Sequence, residues 1–138
     1  MIGYVTLGAD DLVLAERFYS AILPGLGYRL EVSDEGLSYT LPGPRGGSAE
    51  PPSLFVVPPW DGRPASAGNG TMLAFRVPSQ ARVRALHGAG LAAGGRDEGA
   101  PGFRAAYSPG FYVGYLRDPQ GNKLALYCDS PDEPARPD

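Results

Sequence analysis

At 138 residues the chain has the length of one domain, and a domain of this size buries roughly two-thirds of its unfolded surface, so its core needs no disulfide or metal staple. One cysteine, Cys128, excludes an internal disulfide and a cysteine zinc cluster, while 12 basic against 15 acidic residues disfavour nucleic acid, which calls for clustered Lys and Arg. The start of the chain has neither a basic n-region nor an apolar run, so no signal peptide or membrane span is expected, and the cysteine usage suits a reducing, cytoplasmic setting.

The 20 glycines and 15 prolines make up about a quarter of the chain. Most fall in blocks at Pro42–Pro52, Pro58–Gly70 and Gly94–Gly110, which read as long loops between patterned segments. Residues 129–138 form an acidic, proline-rich tail with little to bury, expected to be poorly ordered.

In chain order, Ile2–Gly8 reads as a strand, followed by Asp10 as a helix N-cap with Asp11 in the first turn. Leu12, Ala15, Phe18, Tyr19, Ile22 and Leu23 recur at helical spacing until Pro24 and Gly25 close the element. Strands are predicted at Tyr28–Val32, Leu37–Leu41 and Leu54–Val57. The second half repeats the order: a strand at Thr71–Val77, Ser79 as N-cap, and a helix with Val83, Leu86 and Gly90 on one face. A weak strand near Gly95–Asp97 leads into a long loop. Strands at Phe111–Arg117 and Lys123–Cys128 follow, joined by the turn Asp118-Pro-Gln-Gly-Asn122. Tyr4 and Met72 are offset by 68 residues, too long for a solenoid unit. The pattern therefore predicts an α+β fold of two βαβββ modules, about 1–58 and 71–128, within one domain spanning 1–128. Their strands would form a curved mixed sheet around a cleft, with helices outside.

This order, with Gly3-Tyr-Val-Thr-Leu-Gly8, Asp11-Leu, Phe18-Tyr19, the Leu86–Gly95 stretch and Asp118-Pro-Gln-Gly-Asn122, resembles the vicinal oxygen chelate superfamily of glyoxalases, bleomycin-resistance proteins and extradiol dioxygenases. The likeness covers nearly all of residues 1–128. It specifies a fold more than an activity, since one fold hosts many functions. In metal-using members, His, Glu or Gln project into the cleft from the first and last strands of each module. The resemblance puts Tyr4, Met72, Ala125 and a residue within Leu54–Val56 at those positions, and none suits a hard or borderline divalent cation. The only histidine, His87, falls mid-helix and reads as a surface residue, so neither a two-His iron site nor a Ser-His-Asp set can be assembled. No metal and no cofactor is expected.

Strand alternation, with parity taken from the resemblance, turns Tyr4, Thr6, Met72, Ala74, Arg76, Lys123, Ala125 and Tyr127 toward the cleft and Val5, Leu7, Leu73, Phe75, Leu124 and Leu126 toward the helices. Arg76 could clamp an anionic group there, or reach solvent from its strand end. Tyr39, Tyr107, Tyr115 and Tyr127 occur where they could border the cleft, and Trp60, in the polar Pro58–Pro64 loop, reads as a lid or subunit contact. Asp97, Glu98 and Arg104 read as solvated loop charges, and Cys128 as a buried, inert thiol. The site expected to bind ligand thus comprises Tyr4, Tyr39, Trp60, Met72, Arg76, Tyr107, Tyr115 and Tyr127. The leading functional reading is a metal-independent homodimer that binds a small, partly aromatic or amphipathic molecule. A metal-independent lyase or isomerase of the same fold, and a degenerate paralogue acting by protein association, stand as alternatives.

Overall fold

The structure, a computed structural model, describes residues 1–137. Module one contains β1 (Tyr4–Gly8), α1 (Leu12–Ile22), a 3-10 turn (Leu23–Leu26), β2 (Arg29–Ser33), β3 (Gly36–Thr40) and β4 (Ser53–Val57). Module two contains β5 (Met72–Arg76), α2 (Gln80–Ala92), β6 (Arg96–Phe103), β7 (Tyr112–Arg117) and β8 (Lys123–Cys128). Each forms a four-stranded mixed sheet, ordered β1-β4-β3-β2 and β5-β8-β7-β6. In each, the first strand runs parallel to the last and the other neighbours are antiparallel. The two βαβββ modules of the sequence are thus present.

Asp11, one residue beyond the expected Asp10, caps α1: its carboxylate accepts from Leu14 N at 3.0 Å. Asp10 is drawn away because its own carboxylate accepts from Ala65 N at 2.8 Å. Ser79 caps α2 as expected, accepting from Arg82 N at 3.1 Å. The expected long loop after α2 is shorter than its composition implied. Residues Arg96–Phe103 form an eight-residue edge strand with two register shifts against β7, an outer position where Pro101 costs no ladder bond on the solvent side.

The inner face of every strand serves one core. Leu37, Leu54 and Val56 of sheet one and Leu116, Leu124 and Leu126 of sheet two are buried with Phe18, Ile22, Val83 and Leu86 of the helices. Each such side chain contributes about 1.5–3 kcal/mol on full burial. The helices meet at Gly90, where an added Cβ would lie 2.6 Å from Leu116 Cδ1 and 2.9 Å from Ile22 Cδ1. Only a residue without a side chain allows that approach. Tyr28 ahead of β2 meets Phe75 of β5 edge-to-face at 6.1 Å, a second link between modules.

The turn Asp118–Asn122 is a third. Buried Asp118 accepts from Tyr19 Oη (2.5 Å), Asn122 Nδ2 (2.8 Å), Asn122 N (2.8 Å) and Gln120 N (2.9 Å). Asn122 Nδ2 also donates to Gly8 O at 3.0 Å, at the end of β1. The motif that resembled a simple hairpin turn therefore ties module two to the first strand and helix of module one.

The tail, expected to be poorly ordered, hydrogen-bonds to the body. Gln80 N donates to Glu133 Oε1 (3.0 Å), Gln80 Nε2 to Pro134 O (2.7 Å), and Arg136 N to Pro109 O (2.7 Å). Asp138 lies outside the described residues. Among the described residues, no helix is long and apolar enough to cross a membrane.

Candidate functional site

The outer faces of the two sheets carry the residues left over from the core. On sheet one, Tyr4 is 67% exposed and meets Phe55 edge-to-face at 5.5 Å. Register explains the pair, because Thr6 aligns with Phe55 and Tyr4 with Ser53 across the parallel β1–β4 ladder. Tyr4 and Phe55 border a pocket of about 350 Å³ with Ser48 and Glu50. At the other end of β1, Thr6, Val57, Pro58, Pro59 and Trp60 line a second pocket of about 590 Å³, with Glu35 at its rim. Trp60 is fully exposed, as its polar, proline-rich loop led one to expect.

Sheet two is built differently. The β6–β7 loop folds back so that Phe111 stacks on Tyr127 at 5.3 Å and Tyr107 meets Phe111 at 5.4 Å. Arg76 continues this ladder, its guanidinium 5.3 Å from the Tyr127 ring centre, and it bonds Asp129 through Nε at 3.1 Å and Nη2 at 3.3 Å. Residue 129 follows the strand beside β5, so this partner was invisible to strand alternation alone. Next to the ladder lies a pocket of about 770 Å³ bordered by Met72, Tyr107, Tyr115, Arg104, Arg117 and Lys123. Glu98 lines it too and is hydrogen-bonded to Arg117.

The predicted site residues therefore divide. Met72, Tyr107 and Tyr115 share one pocket, Arg76 and Tyr127 share the ladder beside it, and Tyr4 and Trp60 line separate pockets on sheet one. Tyr39 belongs to none of these. It is fully buried on the inner face of β3, its hydroxyl 2.9 Å from Ser20 Oγ, because Leu37 and Tyr39 share a parity that faces α1.

His87 also needs correction. It is buried rather than on the surface, with Nε2 2.9 Å from Tyr115 O and 3.4 Å from Asp97 Oδ1. It fastens α2 to the strand whose outer face presents Tyr115. Its position four residues after Val83 and three before Gly90, both on the buried stripe, was the available signal. Strand parity turns Lys123, the only lysine in the chain, toward the cleft without showing what it meets there.

Burial chiefly raises the Tyr115 phenol above its ordinary value, with the Tyr107 hydroxyl adding to the effect and Arg104 opposing it. Tyr115 is thus a hydrogen-bond donor at neutral pH. A hydrogen bond from Arg117 holds the Glu98 carboxyl below its ordinary value, so that pair is charged there.

The four positions at which metal-using members of the resembled superfamily place ligands are Tyr4, Phe55, Met72 and Ala125. Phe55 is the outer-facing residue within 54–56, and Ala125 is buried behind its neighbours. One thioether, two rings and a methyl do not fit a hard or borderline divalent cation. Among the described residues, no three His, Cys, Asp or Glu side chains cluster as a ligand group.

No family model matches the chain, and no curated protein matches it. Solved structures do. The chain is similar to a glyoxalase/bleomycin resistance protein from Albidiferax ferrireducens T118, at 34% identity and TM-score 0.76, covering 93% of this chain and 98% of that one. A glyoxalase-related enzyme from Fulvimarina pelagi follows at 23% identity and TM-score 0.70, covering 93% and 87% of the two chains. A glyoxalase/bleomycin resistance protein/dioxygenase family enzyme from Burkholderia phytofirmans PsJN, at 17% identity and TM-score 0.62, covers 93% and 98%. The last two share the fold alone. With the first relative matched along almost its whole length, and with the paired βαβββ modules and the Asp118–Asn122 turn in place, the chain belongs to the glyoxalase/bleomycin resistance family.

Proposed function

We propose that this protein is a metal-independent binding protein for a small, partly aromatic or amphipathic molecule, held between the outer face of sheet one in one copy and that of sheet two in a second. The observation that carries the reading is the make-up of these faces. Tyr4, Phe55, Met72 and Ala125 stand where metal ligands would be needed, and aromatic and thioether surface with polar groups beside it suits an organic ligand. Tyr4 and Trp60 of sheet one line other pockets than Met72, Tyr107 and Tyr115 of sheet two, each open to solvent. A two-fold dimer, the commonest oligomer, sets each face against its complement in the other copy and makes two equal clefts. The exposed Tyr4, Trp60, Met72 and Tyr107 then gain cover.

Elemental analysis and thermal unfolding test the metal claim. The purified protein should carry no stoichiometric transition metal and gain no melting temperature from Zn²⁺, Ni²⁺, Mn²⁺ or Fe²⁺, since a specific ion stabilises by mass action. One metal per chain, lost on chelation, overturns the reading. Sedimentation at tens of micromolar tests the dimer: the expected mass is twice 14.5 kDa, and a single 14.5 kDa species rejects it.

A further inference from the structure

We infer that the ligand of the sheet-two pocket is an organic anion, a planar body bearing one carboxylate or phosphate group, with Lys123 as its charge-recognising residue and Arg104 as a second cation. This rests on the binding role proposed above and adds a charge to it. The chain as a whole is acidic, at net −3. The pocket is the reverse, with Arg104, Arg117 and Lys123 against the single carboxylate of Glu98. Arg117 is matched by Glu98, which leaves two cations over.

Both of these pack on one ring. Lys123 Nζ lies 5.2 Å and the Arg104 guanidinium carbon 5.4 Å from the centre of Tyr115. They are therefore at most about 11 Å apart. Among the described residues, neither has a carboxylate within 4.0 Å. Arg104 Nη2 and Nη1 donate to Ala100 O (2.7 Å) and Phe103 O (3.3 Å), which fixes the group without neutralising it. Arg76, the expected anion clamp, is instead committed to Asp129. Two half-buried cations facing an open pocket of about 770 Å³ favour an anion there. Tyr115, Tyr107 and Met72 supply the faces on which a flat body rests, and the protonated Tyr115 hydroxyl adds a donor.

A charge series on one ring system tests this, using 2-naphthoate, 2-naphthyl phosphate, neutral 2-naphthamide and the cation 2-naphthylmethylammonium, with binding followed by fluorescence anisotropy. At least one of the two anions should bind about tenfold or more tightly than the amide, and the cation more weakly than the amide. Lys123→Gln should remove most of that preference while leaving amide binding in place. Arg29→Gln, an equal charge loss on sheet one, should leave it intact. A second readout needs no variant. Reductive methylation with ¹³C-formaldehyde labels Lys123 and the N-terminal amine only, and the anion should shift the lysine resonance where the amide does not. Equal affinity for anions and amide, or an anion preference that survives Lys123→Gln with an unmoved lysine signal, overturns the inference and leaves the binding role standing. Failure of all four compounds to bind overturns both.

Discussion

The inner and outer faces of the same strands differ in what they share. Inner positions of both modules, such as Leu54, Val56, Leu124 and Leu126, feed one core that also takes in both helices. Outer positions have diverged: sheet one presents Tyr4, Phe55 and Trp60 with Glu35 and Glu50 nearby, while sheet two presents a stacked aromatic ladder beside a basic pocket. A duplicated module can keep its inner face nearly constant because both copies solve the same packing problem. Its outer faces answer to whatever lies against them. Substitutions should therefore separate cleanly, with inner ones costing stability and outer ones costing recognition.

The largest loss is expected at Asp118. Asp118→Ala strands the buried Tyr19 hydroxyl and the Asn122 backbone N–H and removes the Tyr19–Asp118 link between modules. Urea unfolding should show roughly 3–5 kcal/mol of destabilisation. A loss under about 1 kcal/mol would mean that the Tyr19–Asp118 bond carries little of the link between modules. Gly90→Ala comes next. Its methyl collides with Leu116 and Ile22, and overpacking of about 1–3 kcal/mol exceeds the roughly 1 kcal/mol that alanine returns to the helix. A net loss of about 1–2 kcal/mol is expected by the same measurement, and a stabilised variant would show that the helices can part without cost.

The inner face also carries a pH signature. Tyr19 is pushed well above the ordinary tyrosine value, by burial first and then by the Asp118 carboxylate, and burial raises Tyr28 and Tyr39 as well. In the unfolded chain these phenols ionise near pH 10, whereas in the folded one they keep their protons to higher pH. The folded state then binds more protons, so their contribution is unchanged below about pH 10 and stability falls as pH rises past it. Unfolding free energies between pH 8 and 11 should show that fall, and Tyr19→Phe should reduce its slope. At the outer face, Trp60→Ala should change the unfolding free energy of the monomer, read at dilutions where the dimer has dissociated, by no more than about 0.5 kcal/mol, since the side chain is fully exposed in the single chain. A larger loss would place Trp60 in the fold rather than at a contact between copies.

Much of this division was legible in the residues, because period-two alternation in Tyr4–Gly8 and Lys123–Cys128 separates the faces before any coordinates exist. Elements with two defensible local solutions were not. Asp10 and Asp11 are both competent caps, and the choice turns on Ala65, 55 residues away along the chain. Arg96–Phe103 has glycines, a proline and charges where a strand normally has branched residues, and it becomes a strand only because β7 offers it an edge. The outer faces were legible as a set but not as an arrangement. Parity turns Tyr4 and Met72 outward alike, yet says nothing about whether one chain brings them together. Arg76 and Lys123 show the same limit in charge: both share the outer parity, and only Asp129, just beyond β8, tells the neutralised cation from the free one.

The central claim is that a binding site needs sheet one from one copy and sheet two from another. Mixing two disabled proteins tests it most directly. Tyr4→Glu should disable every cleft through sheet one by setting a carboxylate against the aromatic Tyr4–Phe55 face, and Met72→Glu through sheet two by placing a carboxylate beside Lys123, its partner across the β5–β8 ladder, where it takes the place of an anionic ligand. Neither protein alone should bind the naphthyl probe that the unmodified protein binds best. After subunit exchange, half of the dimers are mixed, and each mixed dimer joins one intact sheet one to one intact sheet two, so about a quarter of all clefts should recover binding at the original affinity. Recovery near that fraction is the predicted result. No recovery after demonstrated exchange, or undiminished binding by Tyr4→Glu alone, would contradict it.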